Sequence, residues 1–451
     1  MFLHKMRRRL RLVKTGPETA AQLGRNGMGV PAFCLELVLL AVLLLAGSAS
    51  AQEALQNSLT GQAVAKTRDQ QMQNPDYTFK NGDFRMLVSP YLSAEWNDNV
   101  RLSQTDKEDD FIITPGVGIT SSYPLTQRNI LFLDISVGYQ RYLKHPSLSA
   151  LTLNSATRTG LSFDLGIKDV TLNLHDWISY SQDSAQSSAV ANTSNYGTFQ
   201  NTAGLSATWD LNQITLSAGY DHQNELATSG DFDQINHSAE SFFVRSGFQV
   251  HPQVALGLEA TAALTRYDKN ELNNNDAYTV GPYVTFTPGE FFQVTARGGY
   301  STYQFQQSSL FLQTSSQDSW YAGLTVSHQI LESVSYSLAV GHETQLGIQS
   351  DLSEDDYVRP SITWRIIKDW DFNTGFFYEH GKQGVGSITI GPGNLNRSYA
   401  YDWYGGSLNL SHALTSRLSL SLNYRLTLRS SDEPDQTYTQ NLVGLRLTYH
   451  P

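Results

Sequence analysis

From Asp83 to its end the chain alternates apolar and polar residues with a period of two. Leu418-Ser419-Leu420-Ser421-Leu422-Asn423-Tyr424-Arg425-Leu426-Thr427-Leu428 is the clearest stretch. The same spacing sets Val254, Leu256, Leu258, Ala260, Ala262 and Leu264 on one face, and Leu131, Leu133, Ile135, Val137 and Tyr139 on another. Ile214, Leu216, Ala218 and Tyr220 form a fourth such face, and Val334, Tyr336, Leu338 and Val340 a fifth. Successive strand side chains point to opposite sides, so each segment is a strand with one greasy and one polar face. No later stretch holds 18 consecutive apolar residues, so no transmembrane helix is expected.

A soluble sandwich would alternate in the same way, but three features point to a membrane-spanning barrel. Segments such as 128–143, 235–250 and 397–412 exceed the soluble mode of about 5–6 residues. Membrane strands need about 9–11 tilted residues, and their extensions run into the loops. Connections also alternate in length. Short turns fall at Lys168-Asp169, Asn212-Gln213, His251-Pro252-Gln253, Gly289-Glu290, Glu332-Ser333, Lys368-Asp369 and Thr415-Ser416, with a longer one from Tyr123 to Arg128. Polar stretches at 97–110, 183–197, 226–234, 268–275, 307–315, 347–355, 382–396 and 431–436 lie between them. Lastly, Trp209, Tyr220, Tyr300, Trp364, Tyr378 and Tyr424 sit on apolar faces near strand ends, where a bilayer interface favours aromatic rings.

The pattern predicts an all-β, antiparallel up-and-down transmembrane barrel of eighteen strands: 84–95, 112–121, 128–143, 153–166, 169–182, 198–211, 213–226, 235–250, 253–267, 276–288, 290–306, 316–330, 333–346, 355–367, 370–381, 397–412, 417–430 and 437–449. Sixteen is the alternative, because Pro90 and Pro115 fall in the first hairpin and proline lacks a ladder donor.

The N-terminus changes the picture by naming a compartment. Arg7-Arg8-Arg9, Arg11 and Lys14 precede an apolar core from Leu37 to Ala46, and Ala49-Ser50-Ala51 offers a small-x-small cleavage site. Residues 1–51 are therefore expected to be a signal peptide, with Met28 as an alternative start, residues 52–82 a periplasmic segment or linker, and 83–451 the barrel. The expected location is the outer membrane of a Gram-negative cell. Its expected partners are lipid, lipopolysaccharide and the barrel-assembly machinery, which would read the C-terminal strand through Leu445, Leu447 and Tyr449.

Composition then narrows the chemistry. The chain has 31 Lys and Arg, 42 Asp and Glu, and a single cysteine, Cys34. Residues 1–51 carry seven of the basic and two of the acidic residues, leaving 24 and 40 and a net charge of −16, which argues against nucleic acid. The barrel region lacks a thiol, which excludes disulfides and cysteine-ligated metal there. No H-E-x-x-H or G-x-S-x-G occurs. His175-Asp176 and His342-Glu343 cannot form same-face dyads, since neighbours on a strand diverge. No catalytic residue, metal or cofactor is expected.

A barrel of this size encloses a lumen. The alternation points Arg158, Arg245, Arg297, Arg359, Arg365, Arg425 and Arg446 inward, opposed by Asp134, Asp164, Glu259 and Glu379. Arginine forks bind carboxylates and sugar oxygens, so these residues are candidates for solute selectivity. The competing reading is that they pair across the wall and hold its shape. Acidic groups at 106–110, 231–233, 351–356 and 432–435 are read as loop tips. The longest loops, 183–197 and 382–396, are modest for an inward constriction loop, which favours a monomer.

Pro90-Tyr91-Leu92 followed by Glu95-Trp96-Asn97-Asp98-Asn99-Val100 resembles the opening of the putative β-barrel porin 2 family, its most specific part being Asn97, Asp98, Asn99 and Val100. The resemblance covers 84–451. It implies an outer-membrane, porin-like barrel. Some members are associated with exopolysaccharide gene clusters, which implies polysaccharide-export components as partners. No catalytic residues are carried over. The expected function is a porin-like channel for exopolysaccharide or small hydrophilic solutes. The alternatives are a non-conducting structural or adhesive barrel and a barrel enzyme acting on lipid or glycan.

Overall fold

The computed structural model describes residues 77–126, 128–153, 160–306, 315–384 and 398–450. The expected signal peptide, most of the 52–82 segment, Arg158 and most of the 307–315 and 382–396 loops lie outside them. A short strand, β1 (Phe79–Asn81), is followed by β2 (Phe84–Asn97), β3 (Asp110–Pro124), β4 (Ile130–Tyr142), β5 (Ala150–Leu153), β6 (Gly160–Ile167) and β7 (Val170–Ser181). Then come β8 (Thr198–Asp210), β9 (Ile214–Ala227), β10 (His237–His251), β11 (Val254–Tyr267), β12 (Asn274–Gly289) and β13 (Phe292–Gln306). The chain continues through β14 (Ser316–Leu331), β15 (Val334–Leu346), β16 (Leu352–Ile367), β17 (Trp370–Gln383), β18 (Tyr399–Thr415), β19 (Leu418–Ser431) and β20 (Tyr438–Tyr449).

Every pairing is antiparallel between sequence neighbours until β2 meets β20 and closes the wall. β5 and β6 share one position between β4 and β7, and β1 only folds back on the start of β2, so the barrel has eighteen strands. Closure pairs each of the eighteen wall strands on both sides, the condition for a β-structure to cross hydrocarbon.

The alternation works as expected. Leu256, Leu258, Val280, Phe376, Leu422 and Leu445 are exposed on the outer wall, while Glu259, Thr261, Ser301, Glu379 and Thr427 are buried on the inner one. All six predicted aromatics lie on the outer face. Trp209 and Trp364 stand near the short turns, and Tyr220, Tyr300, Tyr378 and Tyr424 toward the loops. Left-handed Lys168, Asn212 and Asp369, at φ 54°, 66° and 68°, make the tight turns that join β6–β7, β8–β9 and β16–β17.

Pro90 and Pro115 lie within regular strand, as do Pro282 and Pro360. Each keeps its ladder on one side. On the other, the ladder skips the proline: pairing jumps from Ile113 to Gly116, Val280 to Tyr283 and Val358 to Ser361, and the β20 ladder starts only at Tyr91. The missing donor is absorbed as a local gap, so the first hairpin belongs to the wall and the expected eighteen strands hold, not the alternative sixteen.

The Asn97–Val100 motif fastens the seam where β2 meets β20. Asp98 accepts from the Asn441 backbone N–H at 2.6 Å and its Nδ2 at 2.7 Å. Fully buried Asn99 donates to the Ser103 and Thr439 carbonyls at 2.8 and 3.0 Å, and its own carbonyl accepts from Gln440. Asn97 Oδ1 accepts from the Asn99 N–H at 2.9 Å. Val100 is buried, and its N–H donates to the Glu108 carbonyl at 2.8 Å. The motif thus extends the seam above a ladder of only seven pairs, Tyr91 to Asn97.

Four acids read as loop tips belong to strands: Asp110 in β3, and Glu354, Asp355 and Asp356 in β16. Asp110 opens β3, fully buried, and accepts from the backbone N–H groups of Phe111, Leu143, Lys144 and His145. Asp355 lies in β16 and faces the lumen. The strand starts at Leu352 because Leu346 pairs with it, which leaves only 347–351 as loop.

Candidate lumen site

Inside the barrel the side chains fall into two sectors. From β10 round to β19 the inward residues form a chain of arginine, tyrosine and acid. The Arg245 guanidinium lies 3.8 Å from the Tyr283 ring centre, and its Nε is 3.8 Å from Glu259. Tyr321 donates to Glu259 at 3.1 Å. Arg297 interacts with Glu259 and Tyr357. Arg359 stacks on Tyr357 at 4.3 Å and pairs with Glu379 at 3.1 Å. Tyr401 reaches Asp355 at 2.7 Å and Glu379 at 3.3 Å, and Arg429 lies 4.8 Å from the Tyr401 ring. Across the seam, Arg446 covers the Tyr91 ring at 3.7 Å.

The tyrosines lie flat because the neighbouring strand offers a glycine. A Cβ on Gly381 would meet Tyr401 at 2.0 Å, one on Gly257 would meet Tyr283 at 2.3 Å, and one on Gly299 would meet Tyr321 at 2.6 Å. Large ring and missing side chain therefore fit as a pair, and Tyr321 and Tyr401 are fully buried there.

The opposite sector, from β3 to β9, carries mostly amides and hydroxyls on its inner face, with Asp134, Asp164, Asp221 and Glu225 among them. Gln140, Ser179, Gln200, Thr202 and Gln223 line one side of a cavity of about 1250 Å³, Glu95, Arg359, Glu379, Arg425 and Arg446 line the other, and Trp177, Phe377 and Trp403 stand at its border. Toward the short turns, Asn173 donates to Asp164 at 2.6 Å, and His175 contacts Asn173 and Asp221 at 2.8 Å each. Gly204 leaves the room for that contact, since its Cβ would stand 2.0 Å from Asp221. Both His175 ring nitrogens are hydrogen-bonded and Asp176 points outward, so this pair presents no free base. His342 likewise faces outward to Asp356, away from Glu343.

Each described selectivity candidate is on the inner wall. Asp134 pairs across β3–β4 with Thr120, and Arg365 at the turn end lies 3.5 Å from Asp371. The expected excess of inward arginine is not there. Sequence reasoning missed Glu95, Asp221, Glu225, Glu343 and Asp355, all inward, and Arg429 among the cations. Strict alternation carried along the strand from Tyr91, Ser217, Arg359 and Arg425 would have placed Glu95, Asp221, Glu225, Asp355 and Arg429.

The 183–197 connection departs most from expectation. It folds inward and lands on β18 and β19. Asp183 takes Arg425 at 2.6 and 3.1 Å, the Ser188 hydroxyl meets Tyr401 at 3.0 Å, and the Ser188 carbonyl accepts from Arg429 at 2.8 Å. Leu102, Ala185, Ala191 and Tyr438 pack beneath these contacts. A 3₁₀ turn, Ser184–Gln186, capped by Asp183, shortens the reach the loop needs. Length alone does not reveal this, because the partners lie about 240 residues away along the chain.

At the loops, charge is compensated in solvent. Glu108 is held below its ordinary range by Arg101 at 2.8 Å, with His145 adding to it, and Asp109 is lowered by Lys144 and Trp96. Asp351, buried between β15 and β16, is raised by that burial and partly restored by two bonds from Asn273 at 2.6 and 2.7 Å.

Closed antiparallel strands, an apolar outer band and a polar, partly filled lumen define a porin-like β-barrel of the outer-membrane type. The chain belongs to the "Putative beta-barrel porin 2" family, whose model matches residues 79–316, just over half of it. No curated protein matches the chain. Among solved structures it is similar to Pseudomonas aeruginosa OccK2 (OpdF), solved in complex with glucuronate, at 10% identity, TM-score 0.44, over 82% of this chain and 98% of that one. It is also similar to Acinetobacter baumannii OccAB3, at 11% identity, TM-score 0.45, over 81% and 99%.

Proposed function

We propose that this protein is an outer-membrane channel for hydrophilic, hydroxyl-rich solute, such as exopolysaccharide or its smaller fragments. The cavity carries this reading. Its border combines amides, hydroxyls and aromatic rings with Glu95, Glu225, Arg359, Glu379, Arg425 and Arg446, which suits hydroxyl-rich sugar surfaces through hydrogen bonds and ring contact. The inward arginines act as selectivity determinants only through compensated pairs, so ion selectivity is weak. Leu445, Leu447 and Tyr449 on the outer face of the last strand are the surface the assembly machinery would read, and the exposed apolar band is the surface for lipid and lipopolysaccharide.

Single-channel recording on refolded protein in planar bilayers tests the channel. Ohmic conductance reduced by a neutral oligosaccharide is expected. No conductance at any voltage would end this reading. It would favour the non-conducting surface barrel, for which the pinned inward loop is the supporting observation.

A further inference from the structure

The inward loop raises a question that pairing alone does not answer. Arg425 is half-buried, and its enclosed Nε has no hydrogen-bond partner. Its two terminal nitrogens are taken by Asp183, with Gln440 Oε1 at 3.4 Å from one of them. The charged groups facing Arg425 are Asp183 on the loop and Glu95 on β2, with the Tyr438 hydroxyl beside it. Arg446 also faces Glu95, but its guanidinium is committed to the Tyr91 ring.

Glu95 is placed to receive Arg425. It pairs across the seam with Gly444, which in turn pairs with Asn423, while Arg425 sits one rung on, opposite Leu442. Gly444 has no side chain to separate the two. A Cβ there would stand 2.8 Å from Glu95 Cγ, so the glutamate lies across that strand. Two strand spacings are about 10 Å between backbones, a gap that a glutamate and an arginine span together. Among the described residues, no ion pair or hydrogen bond holds the Glu95 carboxylate.

We propose that residues 182–191 are the constriction of the pore, latched by Asp183 to Arg425, and that Glu95 is the second partner to which Arg425 passes when the segment swings out. The loop then leaves without stranding an unpaired, half-buried guanidinium, which would oppose the release. Ser188 against Tyr401 and Arg429 is the second fastening, and it sets how far the segment must move. The constriction role rests on the channel reading; the latch itself does not.

The test uses the full chain with Cys34→Ser and Asn195→Cys, which places the only thiol on an exposed loop residue for a nitroxide label. Asp183→Asn and Arg425→Gln should each raise single-channel conductance and label mobility. The exchange Asp183→Arg with Arg425→Asp should restore both, which separates the latch from misfolding. Glu95→Gln should keep the main conductance level and cut the frequency of high-conductance excursions about tenfold, within the range of a single coupling. If both single variants conduct as the parent does and the label is unmoved, the latch is wrong. If excursions persist unchanged in Glu95→Gln, the exchange is wrong. A barrel that never conducts, while Asp183→Asn still frees the label, overturns the channel and keeps the latch.

Discussion

Between β10 and β19 every described inward arginine lies against a tyrosine or an acid, whereas between β3 and β9 no described inward arginine occurs. The first sector fills its half of the lumen with long side chains whose charges cancel. The second carries mostly amides and hydroxyls, and the cavity opens between them and Arg359, Glu379, Arg425 and Arg446. The difference shows that inward arginine comes with its partners: even where Arg359 and Arg425 border the cavity, each is held by an acid. A guanidinium inside a barrel needs an acid or a ring beside it, and those partners occupy the volume it might otherwise have served.

The sharpest way to break this comparison is to remove a shared acid from the filled side. Glu259→Ala strands Arg245 and Arg297, and it should cost about 3–5 kcal/mol in urea unfolding of the refolded barrel. Gln200→Ala on the cavity side should change stability by no more than about 0.5 kcal/mol. Equal losses would mean that the two sectors are not built differently.

A steric test comes next. Gly381→Ala drives a methyl into the Tyr401 ring, whereas the nearest atom to a Cβ on Gly118 is 3.7 Å away. Gly381→Ala should destabilise by about 1–3 kcal/mol and Gly118→Ala should be nearly neutral. A neutral Gly381→Ala would show that the ring has somewhere else to lie.

The seam joins the two sectors. Asn99→Ala takes their partner from the Ser103 N–H and the Ser103 carbonyl, a loss of about 1–3 kcal/mol. Heat-modifiable mobility on gels should fall to a lower transition temperature, and unchanged mobility would remove the motif from the closure.

Two smaller effects concern solvent-exposed charge. Arg365→Ser should shift reversal potential only slightly, because its partner Asp371 is exposed too and such pairs are worth about 0–1 kcal/mol. A large shift toward cations would restore the arginines as the dominant selectivity groups. Glu108 and Asp109 have depressed folded values against ordinary ones of 4.5 and 3.8. Their anchoring of the 98–109 loop is present above those ordinary values and lost as pH falls through the depressed ones. Proteolysis at Arg101 and Lys107 with an acid-tolerant protease should therefore speed up only in that low window, and acceleration already at pH 6 would point to another group.

Much of the wall was legible in the chain. The Leu418–Leu428 alternation, the Lys168-Asp169 and Asn212-Gln213 turns and the Trp209 and Tyr378 positions each signal their place, because strand geometry and bilayer chemistry act locally. Asp355 was misplaced because acidity suggests a loop, while its strand was set by the register of Leu346 with Leu352. The inward fold of 183–197 left no mark in spacing or composition, since Arg425, Arg429 and Tyr401 are brought to it only by closure.

The sequence by itself determined a barrel of sixteen or eighteen strands and which face of each strand meets lipid, since a period of two admits one inward set per strand. Only the tertiary structure decided where the space is. Whether Arg425 lines a passage or latches a loop depends on which strands curve round to face each other, and that is set when β2 meets β20.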